Sequence, residues 1–125
     1  MLTNTMKPIA AALLMLAFST TSWARFAEGS AAYERGGFAT ALQEWRPLAE
    51  QGDADVQFNL GLMYRNGKGV AKDDVEAVKW YRRAAEQGIA QAQVNLGLMY
   101  DNGEGVAKDD VEAVKWYRRA CIAMG

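Results

Sequence analysis

The chain has 125 residues, with 14 Lys and Arg against 15 Asp and Glu and no His. This is the length of one domain, and an apolar content of 50% is enough to form a core, which excludes global disorder. The balanced charge argues against partners such as nucleic acid or anionic membrane, which need a basic face. Without His, and with only one Cys, a His/Cys zinc site and His-based acid–base catalysis are excluded, so no cofactor is predicted.

Residues 1–24 have the pattern of a secretory signal peptide. Lys7 is the only charge before Arg25, the run Ile9–Phe18 is continuously apolar, and Ser22-Trp23-Ala24 places small residues at positions −3 and −1. We predict cleavage between Ala24 and Arg25 and a periplasmic or secreted location. The alternative is a membrane anchor, but the apolar run is about half the length that spans a bilayer. No stable membrane span is therefore expected after removal of the signal.

Residues 25–52 are predicted to form a degenerate first repeat. Apolar residues recur at helical spacing on both sides of Gly36-Gly37, which indicates a helix, a turn and a second helix. The separation from Tyr33 to Trp45 is 12 residues, whereas that from Tyr64 to Trp80 is 16. We interpret the difference as a four-residue deletion in the loop.

Two nearly identical repeats follow, over residues 53–88 and 89–125. The segment Gly61–Ala84 returns as Gly97–Ala120, shifted by 36 residues and differing at two of 24 positions. A period of this length is the signature of a helical solenoid, in which each repeat packs on its neighbours. The two differing pairs are Arg65/Asp101 and Lys68/Glu104.

Each full repeat is predicted to contain two helices. Helix A covers Ala54–Asn66 and then Ala90–Asn102, and each copy is followed by a glycine that can end it. Helix B begins after an N-cap aspartate, Asp73 or Asp109, with a glutamate three residues later, which is a capping-box pattern.

Two short motifs in the connecting loop have alternative interpretations. Gly67-x-Gly69 could belong to a phosphate-binding loop, but no strand precedes it and no Lys-Ser/Thr follows it, so a turn is favoured. Lys72-Asp73-Asp74 could bind a cation, but the matching calcium loop is missing, so a helix cap is favoured.

These residues together resemble the Sel-1-like repeat family, a subfamily of tetratricopeptide-type helical repeats. The resemblance implies an all-α solenoid of about three α/α hairpins, wound into a right-handed superhelix with a groove lined by the A helices. It also implies a non-catalytic scaffold or adaptor that binds a protein or peptide, and exported bacterial members are associated with envelope functions and host contact. The matching residues are Ala54, Leu60-Gly61, Tyr64, Gly67, Gly69-Val70, Asp73, Ala77, Trp80-Tyr81, Ala84-Ala85 and Gly88, with Ala90, Leu96-Gly97, Tyr100, Gly103, Gly105-Val106, Asp109, Ala113, Trp116-Tyr117 and Ala120 in the next repeat.

An enzymatic alternative comes from cysteine-rich relatives with a disulfide in each repeat, which are described as penicillin-binding or β-lactamase-like. This chain lacks such Cys pairs and also lacks Ser-x-x-Lys, the nucleophile motif of serine β-lactamases. Its single Cys121 replaces Ala85 of the preceding repeat, so we expect a buried free thiol, with an intermolecular disulfide as the alternative.

The C-terminal segment Cys121–Gly125 departs from the repeat and ends on apolar residues. A solenoid normally finishes with a polar capping element. Self-association through the C-terminal helix, contact with another partner, and a shortened member of a longer array with no ligand of its own all remain open.

The differences between the two repeats predict a binding surface. They fall on one face of helix A, whereas the buried positions are expected to be copied without change. In tetratricopeptide-type geometry this face lines the concave groove, and apolar residues on it favour binding. The alternative is drift on a solvated face after duplication. The predicted binding residues are Asp55, Phe58, Leu62, Arg65, Gln91, Val94, Leu98 and Asp101.

Overall fold

The computed structural model describes residues 7–125, and the side chains of residues 21–125. Residues 1–6 and the side chains of the apolar run Ile9–Phe18, on which the signal-peptide prediction rests, lie outside the described part. Within the described residues the chain forms six α-helices and no strand. The helices are α1 (Lys7–Glu34), α2 (Phe38–Glu50), α3 (Ala54–Asn66), α4 (Asp74–Glu86), α5 (Ala90–Asn102) and α6 (Asp110–Met124).

The helices pack as three successive hairpins, α1 on α2, α3 on α4 and α5 on α6. Neighbouring hairpins are joined where α3 packs on α2 and α5 packs on α4. Each hairpin thus packs on its neighbours along the chain, which is the arrangement of a solenoid. The predicted all-α fold of stacked α/α hairpins is confirmed.

The two glycines of the A–B loop have different roles. Gly67 and Gly103 have φ of 66°, the left-handed conformation that ends a helix. A Cβ on Gly69 would lie 2.4 Å from the carbonyl carbon of Phe38, and one on Gly105 would meet the start of α4 at 2.2 Å. The pattern is therefore a turn, as predicted, and its second glycine lets the loop lie against the preceding repeat.

Helix B is capped by aspartate, as predicted, but only half of the capping box forms. The Asp73 side chain accepts the Glu76 N–H at 3.1 Å, and Asp109 caps α6 in the same way. The Glu76 carboxylate does not return to the cap and instead accepts from Lys79 at 2.9 Å. The Asp73 N–H already donates to the Tyr64 carbonyl at 2.9 Å, so it needs no side-chain acceptor.

The first repeat has the predicted deletion, but its alignment to the others shifts by one residue. The loop between α1 and α2 covers residues 35–37, whereas the loop between α3 and α4 covers residues 67–73. The first loop is therefore four residues shorter than the second. A Cβ on Gly29 would lie 2.2 Å from the Trp45 ring, and one on Gly61 would lie 2.5 Å from the Tyr81 ring. Trp45 therefore corresponds to Tyr81, and the pairing of Trp45 with Trp80 was wrong.

Two expectations about burial were also wrong. Val56 and Ala92 are equivalent and both fully buried, yet they differ, because α3 and α5 pack on helices of different sequence. Cys121 is exposed, whereas Ala85 has 0% exposure. The reason is that α5 covers this side of α4, while no helix of the described chain covers the same side of α6.

Helix α1 continues unbroken through the predicted cleavage point between Ala24 and Arg25. Over the described part of the chain, no helix combines the length and the apolar content that crossing a membrane requires.

Candidate functional site

The predicted binding residues all lie on the two A helices α3 and α5, on the side of each helix away from its fully buried positions. Their exposure differs along the helix. Asp55, Gln91, Leu98 and Asp101 are exposed, and Phe58, Leu62, Arg65 and Val94 are half-buried.

Packing accounts for part of the apolar character of this face. Phe58 and Leu62 both pack against the core, and the Phe58 ring centroid lies 5.9 Å from that of Tyr81. Leu98, equivalent to Leu62, has 36% of its surface exposed. Of this set, Leu98 is therefore the residue whose apolar side chain is least accounted for by packing.

The two positions that differ in the long duplicated segment lie at the joint between repeats. Arg65 forms an ion pair with Glu104 of the following repeat at 3.5 Å. Lys68 lies over the Phe38 ring of the preceding repeat, 5.0 Å from its centroid. An unchanged copy would place a lysine at position 104, facing Arg65. The divergence therefore replaces a repulsion by an attraction.

A groove between α1 and α3 adjoins the predicted face. We name it the α1–α3 groove; its volume is about 260 Å³. Its aromatic wall contains Tyr33 stacked on Trp45, with ring centroids 5.6 Å apart. The Asn59 amide lines the groove and makes no hydrogen bond within residues 21–125. The lining residues are Phe26, Ser30, Tyr33, Glu34, Trp45, Asn59 and Leu62.

A second hollow of about 300 Å³ depends on residues of the predicted signal peptide. Ser22 and Trp23 form part of its wall, together with Phe26, Leu48, Asp53 and Asp55. Cleavage after Ala24 would remove Ser22 and Trp23, but it would remove no residue that lines the α1–α3 groove. The groove is therefore the better candidate site.

Sequence reasoning missed most of the groove. Asn59 and Asn95 are identical in the two repeats, so the differences between the repeats do not point to them. Asn59 lies four residues after Asp55 and three before Leu62, and this helical spacing could have placed it on the same face. Tyr33 and Trp45 belong to the degenerate repeat, where the repeat pattern is weak.

One buried polar group, the Tyr81 hydroxyl of α4, lies near Arg65 of α3 and Asn95 of α5. Burial raises the pKa of the Tyr81 hydroxyl, and the Arg65 guanidinium and the Asn95 amide oppose that rise. The hydroxyl itself makes no hydrogen bond within the described residues. Tyr81 stays protonated at neutral pH and has no base beside it, so it has a packing role.

The arrangement is suited to holding a ligand by contact. Within the part of the chain that the structure describes, no group of three or more His, Cys, Asp or Glu side chains could hold a metal ion. The groove combines apolar and aromatic walls with a few polar groups, as binding pockets commonly do.

Comparison with known families gives one matching family model, that of the Sel1 repeat, over residues 54–89 and 90–123. Comparison with curated protein sequences gives no match. Among solved structures, the chain is similar to c5321, a protective antigen present in uropathogenic Escherichia coli strains that displays an SLR fold. That likeness has 40% identity and a TM-score of 0.75 over 90% of this chain.

Two further structures are similar. A Sel1 repeat protein from Oxalobacter formigenes is 41% identical, with a TM-score of 0.72 over 76% of this chain. Helicobacter pylori cysteine rich protein B is 29% identical, with a TM-score of 0.65 over 68% of this chain. This chain spans 25%, 39% and 64% of the length of c5321, the Oxalobacter protein and the Helicobacter protein, respectively.

Proposed function

The chain belongs to the Sel1 repeat family, and we propose that it is a non-catalytic scaffold that binds a protein or peptide segment along its A-helix face. The observation that carries the proposal is the α1–α3 groove, which includes the half-buried Leu62 of the predicted face on α3. An A-helix face that were only solvated would not need the exposed apolar side chain of Leu98.

The groove has room for one or two apolar side chains of a partner. Tyr33 and Trp45 supply rigid aromatic walls, which give contact area at a small cost in conformational entropy. The free amide of Asn59 can donate to a carbonyl of the partner and accept from an N–H. A segment with an apolar anchor beside an exposed peptide group therefore fits this site.

Leu98 extends the contact surface to α5. It lies on the A-helix face of the last repeat and is exposed. A partner anchored in the groove and running along α3 would reach Leu98 and the neighbouring Val94. The charged residues Asp55 and Asp101 lie at the edges of this surface. Charges in such positions contribute more to specificity for the partner than to affinity.

Export to the bacterial envelope or the secreted space is part of the proposal. It is supported by the signal-peptide pattern of residues 1–24 and by the description of the Escherichia coli neighbour as a protective antigen. Antibodies reach an antigen from outside the cell. N-terminal sequencing of the protein recovered from periplasm and medium tests this part, and a mature chain beginning at Arg25 is expected.

Peptide selection tests the binding function. Peptides from a random displayed library are selected on the full chain, and their affinity is measured by titration calorimetry. We expect Asn59→Ala and Leu98→Asp to weaken the selected peptides at least about tenfold, since each removes a contact from the partner. Val75→Asp is the matched control, because Val75 is an exposed apolar residue on helix B, 52% accessible.

An equal loss of affinity in Val75→Asp would contradict binding along the A-helix face, and failure to select any peptide would contradict peptide binding. A nitrocefin assay on the same preparation addresses catalysis. Hydrolysis above the buffer rate would overturn the non-catalytic part of the proposal.

A further inference from the structure

The A helices of the second and third repeats each dock on the preceding B helix through two side-chain hydrogen bonds. At the joint of α2 and α3, the Gln57 amide donates to the Ala49 carbonyl at 2.9 Å. Arg46 donates to the Tyr64 hydroxyl, and its guanidinium lies over the Tyr64 ring. Gln57 and Tyr64 are seven residues apart, two turns along one side of α3.

The joint of α4 and α5 repeats this arrangement. The Gln93 amide donates to the Ala85 carbonyl at 3.0 Å, and Arg82 donates to the Tyr100 hydroxyl at 2.6 Å. The Arg82 guanidinium lies 5.5 Å from the centroid of the Tyr100 ring. The two joints therefore use one recognition pattern, a glutamine and a tyrosine seven residues apart.

Helix α6 has the same arginine and carbonyl positions that α2 and α4 use at these two joints. Arg118 is equivalent to Arg46 and Arg82, and it makes no hydrogen bond or ion pair within residues 21–125. The Cys121 carbonyl is equivalent to those of Ala49 and Ala85. It accepts the Gly125 N–H at 3.0 Å but receives no side-chain donor within the same residues.

Apolar side chains beside these groups are uncovered. Val114 is 45% exposed, whereas the equivalent Val78 is 6% exposed beneath α5. Tyr117 is half-buried, whereas Tyr81 has 0% exposure. We name Val114, Tyr117, Arg118 and Cys121 the α6 face. It follows one side of the helix, at the spacing that packs against another helix.

We infer that the α6 face is a docking site for the A helix of another Sel1-type repeat chain, recognised by a glutamine and a tyrosine seven residues apart. Glutamine would donate to the Cys121 carbonyl, and Arg118 would donate to the tyrosine hydroxyl. Both bonds copy those of the two joints already formed, so the backbone of α6 needs no rearrangement, and docking has to order the free Arg118 side chain.

A second copy of this chain fits the site less well. Within the described residues, α3 and α5 are already covered by α2 and α4, which leaves α1 as the A helix with an open outer side. Since Gly29 corresponds to Gly61, a shift of 32 residues, the positions of Gln57 and Tyr64 are occupied in α1 by Arg25 and Ala32. Arg25 can donate to a carbonyl, but it is paired with Glu44 at 3.8 Å, and the Ala32 side chain has no oxygen to accept from Arg118. The pair of hydrogen bonds is therefore not reproduced.

The test uses the full chain and a fluorescent, lactam-stapled peptide with the sequence of Ile89–Gly103, since a free helix of this length is marginal in water. Fluorescence anisotropy is expected to show saturable binding. Arg118→Ala and, separately, Val114→Asp are expected to raise Kd at least about tenfold, because each removes one part of the joint. A peptide with alanine in place of its glutamine and phenylalanine in place of its tyrosine is expected to lose affinity to a similar extent.

Val111→Asp is the matched control. Val111 is 67% exposed on the same helix. Its equivalent Val75 is still 52% exposed although α5 packs on α4, so this position is outside the joint. All these positions are on the surface, and thermal unfolding of each variant checks that the fold is kept. An equal loss in Val111→Asp, or no saturable binding, would overturn the inference. Light scattering of the chain alone that shows a dimer abolished by Val114→Asp would assign the face to a second copy and would also overturn it.

Discussion

Replacing Ala123 by glutamine is expected to stabilise the protein. In the second repeat, the Gln57 carbonyl oxygen accepts from the Gln87 amide at 2.8 Å, while its own amide donates to the Ala49 carbonyl. In the third repeat, the equivalent Gln93 oxygen is buried and has no hydrogen-bond partner among the residues that the structure describes. Residue 123 is the equivalent of Gln87, and alanine has no amide to donate.

The expected gain follows from opposing contributions. Satisfying a buried acceptor is worth about 1–3 kcal/mol. Ordering the new side chain on an exposed helix end costs about 1 kcal/mol, and the lower helix propensity of glutamine costs a few tenths more. With a gain in the middle of this range, the expected net stabilisation is about 0.7 kcal/mol, which corresponds to a rise in Tm of roughly 3–5 °C for a chain of this size.

Urea unfolding followed by circular dichroism measures this free energy for the wild-type chain and for Ala123→Gln. Met124→Gln is the control, because Met124 is 65% exposed and belongs to no such network. The reverse substitution, Gln87→Ala, is expected to cost about 1–2 kcal/mol because it strips the Gln57 oxygen of its donor. If Gln87→Ala destabilises the protein while Ala123→Gln has no effect, the assigned cause is wrong.

Two further substitutions test the packing and the joint. Gly61→Ala is expected to destabilise by about 1–2 kcal/mol, because the new methyl would lie 2.5 Å from the fully buried Tyr81 ring and overpacking outweighs the better helix propensity of alanine. In Gly97→Ala the new methyl would contact the half-buried Tyr117 ring, which can move, so a smaller loss of stability is expected in the same unfolding assay. Equal losses in the two variants would contradict this reasoning. Arg65→Glu is expected to cost about 0.5–1 kcal/mol by placing two carboxylates together, and adding Glu104→Arg is expected to restore most of it. A double-mutant cycle at low salt measures this coupling, and a double variant no more stable than Arg65→Glu would refute the pairing.

The charge swap also sharpens the test of the binding face. A single Arg65→Asp substitution would change the charge on the predicted binding face, but it would also weaken the joint because Arg65 is paired with Glu104. The double exchange changes the charge on the face and keeps an ion pair between the repeats. Peptide affinity measured in this double variant therefore separates recognition from stability.

Sequence reasoning performed best where local chemistry decides. The bounds of α3 and α5 follow from helical periodicity and from glycines that end a helix, and the start of α4 follows from the Asp73 cap. It performed worst where a neighbouring helix decides. The burial of Cys121 was inferred from the equivalent Ala85, although burial there is supplied by the next A helix. The binding residues on α3 and α5 stay a prediction.

The sequence by itself determined the family, the helical hairpin and its period, because these depend on spacings of residues within 36 positions of each other. Only the tertiary structure decided which copies are equivalent in environment. Residues 57 and 93 are both glutamine, yet the carbonyl oxygen of Gln57 has a donor and that of Gln93 has none within the described part of the chain. In a solenoid each repeat is completed by its neighbour, so the same residue has a different energy at an inner joint and at the end of the stack.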